Sequence, residues 1–140
     1  MTGERDLQVL LRGMRPELHD GRYVFTSVPG AVPAGLAPVV TVAEPEGLTL
    51  VLRQEEADRV GLDYDYVAGW ITLRVHSALD AVGLTAAVAT ALAETGLSCN
   101  VVAGFRHDHL FVPYEAAEQA LRRLDELADR ARAGRAGRLG

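Results

Sequence analysis

Apolar residues in the first half of the chain change from helical spacing to strand spacing. A helix is predicted just after Asp6 because four apolar side chains share one face, and it ends before Pro16: Leu7, Leu10, Leu11 and Met14. Residues 23–28 are rich in β-branched and aromatic side chains, which predicts a strand. Residues 29–38 hold three prolines and two glycines. That composition favours an irregular connection.

The next elements are a hairpin and a short helix. Two apolar runs, 39–43 and 48–52, flank a turn that contains Pro45 and Gly47. Residues 54–60 carry two acids in their first turn, where they favour a helix, and Gly61 is suited to close its C-terminus. The first half therefore has the predicted order α-β-β-β-α.

The second half has the predicted order β-α-β-β-α. Ile71, Leu73 and Val75 alternate with polar residues through residues 70–76, which predicts a strand. Residues 85–95 are almost entirely Ala, Leu and Val before Gly96, which is typical of a buried helix. The remaining patterns predict two hairpin strands and a long amphipathic helix: 99–103, 110–112 and 114–132.

The two halves also share a plan. In residues 47–60 and again in 108–121, an apolar strand runs directly into a helix that begins with acids. Each half lacks strands of a complete β-α-β-β-α-β ferredoxin-like unit, so we expect the halves to pair or share strands, with helices on one face. The predicted organisation is two units and a flexible Arg-rich tail: 1–66, 67–132 and 133–140.

Composition removes several classes of function. The formal net charge is −5 and every basic residue is Arg, so no overall positive field favours nucleic acid or an anionic membrane. The Arg-rich tail lacks interleaved aromatic residues and is interpreted as a solvated end. No apolar signal core opens the chain and no run approaches the ~20 apolar residues of a membrane span. We therefore expect a cytoplasmic protein.

The sequence contains residues suited to two enzymatic arrangements, and it favours neither. His107 and His109 flank a carboxylate and have the ligand chemistry of a transition-metal site, but a third ligand is not indicated. Ser77 beside His76 and Cys99 with any histidine offer nucleophile chemistry, yet adjacent strand residues point to opposite faces. The single Cys99 is interpreted as a reduced, packed thiol. No phosphate loop or Gly-x-Ser-x-Gly elbow occurs, and neither enzymatic activity nor a cofactor is expected.

The remaining candidate lies where the strand of residues 70–76 meets the apolar helix. Free amides at a helix N-terminus suit a carboxylate. Asp80 in the preceding loop is suited to an ammonium group, and Asn100 on a neighbouring strand both donates and accepts hydrogen bonds. Together they predict a cradle for a zwitterion. The alternative is that Asp80 caps the helix and Asn100 bonds a turn.

The motif Asp80-x-x-Gly83, followed by the apolar helix and by residues 93–102, resembles the ACT domain. This ferredoxin-like module commonly binds amino acids in regulatory proteins. The sequence of residues 49–58, 69–75 and 109–113 is similar to the tandem ACT arrangement of aspartokinases and cytosolic arginine sensors. Residues 7–127 resemble free-standing bacterial tandem ACT proteins, most specifically in 84–88 and 98–104.

The resemblance implies an α+β fold of two ACT units with antiparallel sheets and helices on one face, usually in a homodimer with effector sites at unit interfaces. It implies an amino acid effector, bound by the loop and by the facing strand: His76, Ser77, Asp80, Gly83, Asn100, Val101 and Val102. Since no catalytic domain accompanies the units, we expect a regulator that signals through an unidentified protein partner. A ligand-free oligomerisation or interaction module is the alternative.

Overall fold

The computed structural model describes residues 3–139, which form four α-helices and seven strands. The helices are α1 (Leu7–Gly13), α2 (Gln54–Val60), α3 (Leu84–Ala93) and α4 (Ala117–Leu139), with a short 3-10 turn at Tyr114–Ala116. The strands are β1 (Pro16–Leu18), β2 (Tyr23–Val28), β3 (Val40–Glu44), β4 (Gly47–Arg53), β5 (Val67–Leu73), β6 (Asn100–Ala103) and β7 (Asp108–Pro113).

The short helices form where local signals predict them. The Asp6 carboxylate accepts hydrogen bonds from the backbone N–H groups of Gln8 and Val9 at the start of α1. Gly61 ends α2 in the left-handed conformation, with a φ of 73°. Both predicted helices are confirmed.

Three features differ from the prediction. Strand β5 lies three residues earlier than predicted, because the N–H of Val75 bonds the carbonyl of Leu73 and the N–H of Ser77 bonds that of Val75, which turns the chain. Strand β1 is too short to show a period. Helix α4 continues past residue 132 to Leu139, since Ala, Arg and Leu favour helix and an interior glycine costs only about 1 kcal/mol. Gly140 lies outside the described residues.

All strands join one antiparallel sheet with the order β3-β4-β2-β5-β7-β6, and β1 pairs with the free part of β5. The halves pair where Tyr23 lies opposite Ala68 and Val24 opposite Val67. The expectation that the halves pair is therefore confirmed. The division at residues 66 and 67 stays a prediction, because α1 and β1 pack with the second half.

The strands of the two halves match residue for residue. Val24 pairs with Leu52 in the first half as Gly69 pairs with Val112 in the second. The last strand of each half ends in the same backbone conformation before its helix, at Arg53 (φ −62°, ψ 139°) and at Pro113 (φ −53°, ψ 130°). The halves are thus related by an internal two-fold. In this register Leu48 corresponds to Asp108, so the repeat read from the sequence is one residue out of step.

The two halves differ in what covers the sheet. Helices α1, α3 and α4 bury the core of the second half, whereas the first half has only α2 and the proline-rich connection 29–38. From that connection, Val32 and Leu36 pack on the buried side chains of β2 and β4. None of the helices within residues 3–139 has the length and apolar character that a bilayer crossing requires.

Candidate functional site

The loop between β5 and α3 lines an outer cleft of about 250 Å³. Three of the predicted site residues are in its wall: His76, Ser77 and Asp80. Leu79 and Phe105 add apolar surface and are 69% and 71% exposed. The structure therefore brings the predicted loop residues together around one open cleft.

The N-terminal segment fixes this loop. The N–H of Glu4 donates to the carbonyl of His76, and the N–H of Ala78 donates to the carbonyl of Glu4, both at 2.9 Å. A Cβ on Gly3 would lie 2.5 Å from the backbone nitrogen of Ala78, so only glycine fits there. The residues before α1 thus form one wall of the cleft.

Asp80 has a partner that the sequence did not predict. Its carboxylate lies 3.0 Å from Nε of Arg5 and 3.2 Å from Nη2, and its side chain is 70% exposed. An exposed pair of this kind contributes little to stability. The ammonium-binding role of Asp80 stays a prediction, with Arg5 as the group that a ligand would have to compete with.

Behind the loop lies an inner cavity of about 100 Å³, bounded by the first residues of α3. Gly83 is the N-cap, with a φ of 105° that favours glycine, and no side chain caps the helix. The first N–H groups of α3 therefore lack the usual side-chain acceptor. Asp108 lines the same cavity and is only 9% exposed. Burial raises the pKa of this carboxyl, and nearby His107 lowers it to a smaller extent.

The predicted facing strand lies elsewhere. Asn100, Val101 and Val102 are on β6 and do not line either the outer cleft or the inner cavity. Asn100 pairs with Phe111, at the opposite end of β6 from Ala103, which does line the cavity. The structure does not bring Asn100 to Asp80, and the ligand-binding role of β6 stays a prediction.

A second polar cluster, on the sheet face opposite the helices, was not predicted. The Thr72 hydroxyl lies 2.7 Å from Nε2 of His19 and 3.0 Å from Nδ1 of His109. Trp70 Nε1 donates to the same Nδ1 at 3.2 Å, and its indole stacks on the His19 ring at 3.6 Å. Because an indole nitrogen only donates, Nδ1 of His109 must accept, and its proton is therefore on Nε2.

Burial lowers the pKa of both histidines in this cluster. His19 is contributed by the segment after β1, some ninety residues from His109 in sequence, so no spacing rule links them. The only sequence signal for this cluster is that aromatic and histidine residues recur on one face of the strands. With Thr72 buried, the arrangement is a stabilising network between β1, β5 and β7.

The described residues contain little enzyme-like chemistry. Across residues 3–139, no group of three or more His, Cys, Asp and Glu side chains is placed to hold a metal ion. Burial raises the pKa of Cys99 to about 11, so its thiol is protonated at neutral pH and is a weak nucleophile. Two larger clefts flank Tyr114, of about 390 and 380 Å³. There the Arg22 guanidinium covers the Tyr114 ring at 4.3 Å.

The fold and the loop site define a double ferredoxin-like unit of the α+β class. ACT domain models match residues 2–69 and residues 66–126. The chain belongs to the tandem ACT-domain family. No curated protein matches it.

Solved structures with the same fold include one close relative. A Vibrio cholerae protein of unknown function, described as a possible transport protein, is 54% identical, with a TM-score of 0.79 over 87% of this chain and 95% of that one. An Agrobacterium tumefaciens protein is 21% identical, with a TM-score of 0.64 over 82% and 89%. The ligand-free regulatory subunit of aspartate kinase from Thermus thermophilus is 12% identical, with a TM-score of 0.58 over 82% and 98%. The last two show the fold alone.

Proposed function

We propose that this protein is a cytoplasmic, non-enzymatic regulator that binds a free amino acid and acts through a protein partner. ACT domains are regulatory modules, and the chain has two of them. The observation that carries the proposal is the start of α3, which has no side-chain cap and borders a partly open cavity next to the predicted loop. Helix N–H groups are a ready site for a carboxylate.

In this proposal the amino acid head group occupies the inner cavity and its side chain extends into the outer cleft beside His76, Ser77 and Asp80. The two spaces adjoin, because Ser77, Ala78 and Leu79 line both. Asn100, Val101 and Val102 are on β6, the last strand of the sheet order. We place them in the interface of a homodimer, since an unpaired strand edge is a template for another strand.

Thermal unfolding of the full chain with each free amino acid tests the proposal. A ligand at 100 times its Kd adds about 2.7 kcal/mol to the free energy of unfolding, which raises the melting temperature by several degrees. The α-amide of the same amino acid lacks the carboxylate and should give a much smaller rise. If the folded protein responds to none of the free amino acids, the proposal is wrong.

A ligand-free interaction module is the second candidate, favoured by one observation. Leu79, Val82 and Phe105 are 69%, 83% and 71% exposed around the loop. Exposed apolar side chains that cluster in this way are typical of protein-binding surfaces. For this candidate, Phe105→Ser should abolish self-association in light scattering, and amino acids should leave the melting temperature unchanged.

A further inference from the structure

Asp108 occupies a position that the fold reserves for an apolar residue. Leu110 and Val112 follow it on the helix-covered face of β7 and are fully buried. The equivalent residue of the first half is Leu48, which packs at the edge of that half's core. An acidic residue has therefore taken the place of a leucine at the start of β7.

The Asp108 residue is largely buried, and its carboxylate has no partner among the described side chains. The residue is 9% exposed, none of the hydrogen bonds or ion pairs of the described residues involves the carboxylate, and its oxygens retain some exposure in the cavity. Burying a charged group that lacks hydrogen bonds destabilises a fold. A bound group that supplies the missing donors would remove that penalty.

The cavity is also lined by hydrogen-bond donors. Gly83, Leu84 and Thr85 begin α3 and line the cavity together with Asp108. The helix is 10 residues long and no side chain caps it. Its free N–H groups and positive dipole end favour an anionic group. The cavity is therefore lined by a carboxylate that can bind a cation and by helix N–H groups that can bind an anion.

Asp80, the carboxylate of the loop between β5 and α3, is a weaker candidate. It is already paired with Arg5 and is 70% exposed, so water screens its charge. The inner cavity of about 100 Å³ holds about three water molecules at roughly 30 Å³ each. That space suits an ammonium, a carboxylate and the carbon between them. A larger side chain would have to extend into the outer cleft.

We propose that Asp108 binds the α-ammonium group of the ligand while the start of α3 binds its α-carboxylate. The ligand is then an amino acid with both groups unblocked. This inference rests on the proposed function and names the groups by which the ligand is recognised. It assigns specificity to a residue of β7, outside the loop.

The test titrates the full chain with glycine, the smallest compound that has both groups, and follows the backbone amide NMR signals of Gly83, Leu84 and Thr85. Asp108→Asn, which keeps the shape and removes the charge, should weaken glycine binding at least 10-fold. Asp125→Asn, which removes an exposed carboxylate of α4 outside both the outer cleft and the inner cavity, is the matched control and should change it less than about 2-fold. N-acetylglycine and glycinamide should each bind at least 10-fold more weakly than glycine to the wild type.

Unliganded melting gives a readout that a purely structural role would not produce. Asp108→Asn should raise the melting temperature at pH 7, because a neutral amide is less costly to bury than an unpartnered carboxylate. A lower melting temperature would mean that the carboxylate supports the fold, and would overturn the inference.

The outcomes separate the two proposals. Equal glycine affinity of the wild type and Asp108→Asn, or equal affinity for glycine and N-acetylglycine, overturns the role of Asp108 and leaves an amino-acid regulator. If a larger amino acid binds and glycine does not, the affinities of wild type and Asp108→Asn are compared for that amino acid and for its N-acetyl form. If no free amino acid binds, the proposed function and this inference are both wrong.

Discussion

The two halves of the sheet have the same strand register and different chemistry. Where the first half has Leu48 and Thr49, the second has Asp108 and His109. Where the first half crosses from one strand to the next through the irregular residues 29–38, the second inserts α3. The Asp108 carboxyl group therefore lies in the half whose crossover contains a helix, and the first half has neither feature, although its helix α2 also begins without a side-chain cap.

This difference suggests a division of labour within one duplicated fold. The first half is covered by apolar residues of a proline-rich connection, which suits a supporting role. The second half has a carboxyl group in its apolar cover whose pKa is raised by burial, and such departures from a uniform core are expected at functional sites. Three experiments compare the halves directly, in decreasing order of expected effect.

Leucine-to-alanine substitutions measure how much the elements packed on the sheet stabilise each half. Leu92 of α3 is fully buried, whereas Leu36 of the connection is partly exposed. Leu92→Ala should reduce the free energy of unfolding by about 2–5 kcal/mol. Leu36→Ala should cost roughly 1 kcal/mol, because less apolar surface returns to water. Urea unfolding of both variants checks this, and equal losses would contradict the contrast between the halves.

His109→Thr places in the second half the residue that the first half has at the equivalent position. Trp70 and Thr72 then lose a shared acceptor, which should cost about 1–3 kcal/mol at pH 7.5. Since burial lowers the pKa of His109, its unfolded form binds a proton more readily, and the stabilisation is present above about pH 6.5 and lost as pH falls through the folded pKa.

The melting-temperature difference between wild type and His109→Thr should therefore shrink from pH 7.5 to pH 5. Asp108, whose raised pKa changes stability with pH in the opposite direction, is present in both proteins, so its contribution cancels in the difference. His107→Asn, in the same hairpin, is the control: it keeps His109, so Trp70 fluorescence should still change as pH falls through the pKa of His109. A difference that stays constant with pH would contradict the assignment of the His109 proton to Nε2.

Arg5→Ala tests the exposed pair at the mouth of the site. Both side chains are more than half exposed, so the expected loss of stability is about 0.2–1 kcal/mol. The variant should bind amino acids within about 3-fold of wild type if Asp108 is the ammonium-binding group. Calorimetric titration with the best amino acid of the thermal screen provides the measurement. A gain of 10-fold or more would shift the ammonium-binding role to Asp80, because Arg5 would no longer compete for its carboxylate.

The elements that the sequence predicted well have local causes. Asp6 begins α1 and Gly61 ends α2 through contacts within a few residues, and β2 has a continuous run of strand-forming side chains. Asp108 falls outside the predicted strand 110–112, in the hairpin connection, because a polar residue beside His107 is typical of a turn. Its burial arises from pairing with Leu73 on one side and Ala103 on the other, which sequence spacing does not show.

The site illustrates the same limit. The loop residues were predicted as a group because they are adjacent in the chain. Asn100 was expected to face them, but the register of β6 places Ala103 there instead. A prediction of which strand residue lies beside a loop requires the register, and one residue of error exchanges the two faces of the sheet.

Helix α1 has a consequence for how the chain acquires its structure during synthesis. Its buried residues Leu10 and Leu11 join the core formed by α3 and α4, and the Arg132 guanidinium donates to the carbonyl of Arg12, 120 residues earlier. At about 5–20 residues per second, roughly 6–24 s pass before the ribosome has made that partner. During that interval the apolar face of α1 lacks its partner helix α4, so chaperones can bind this face until α4 emerges from the ribosome.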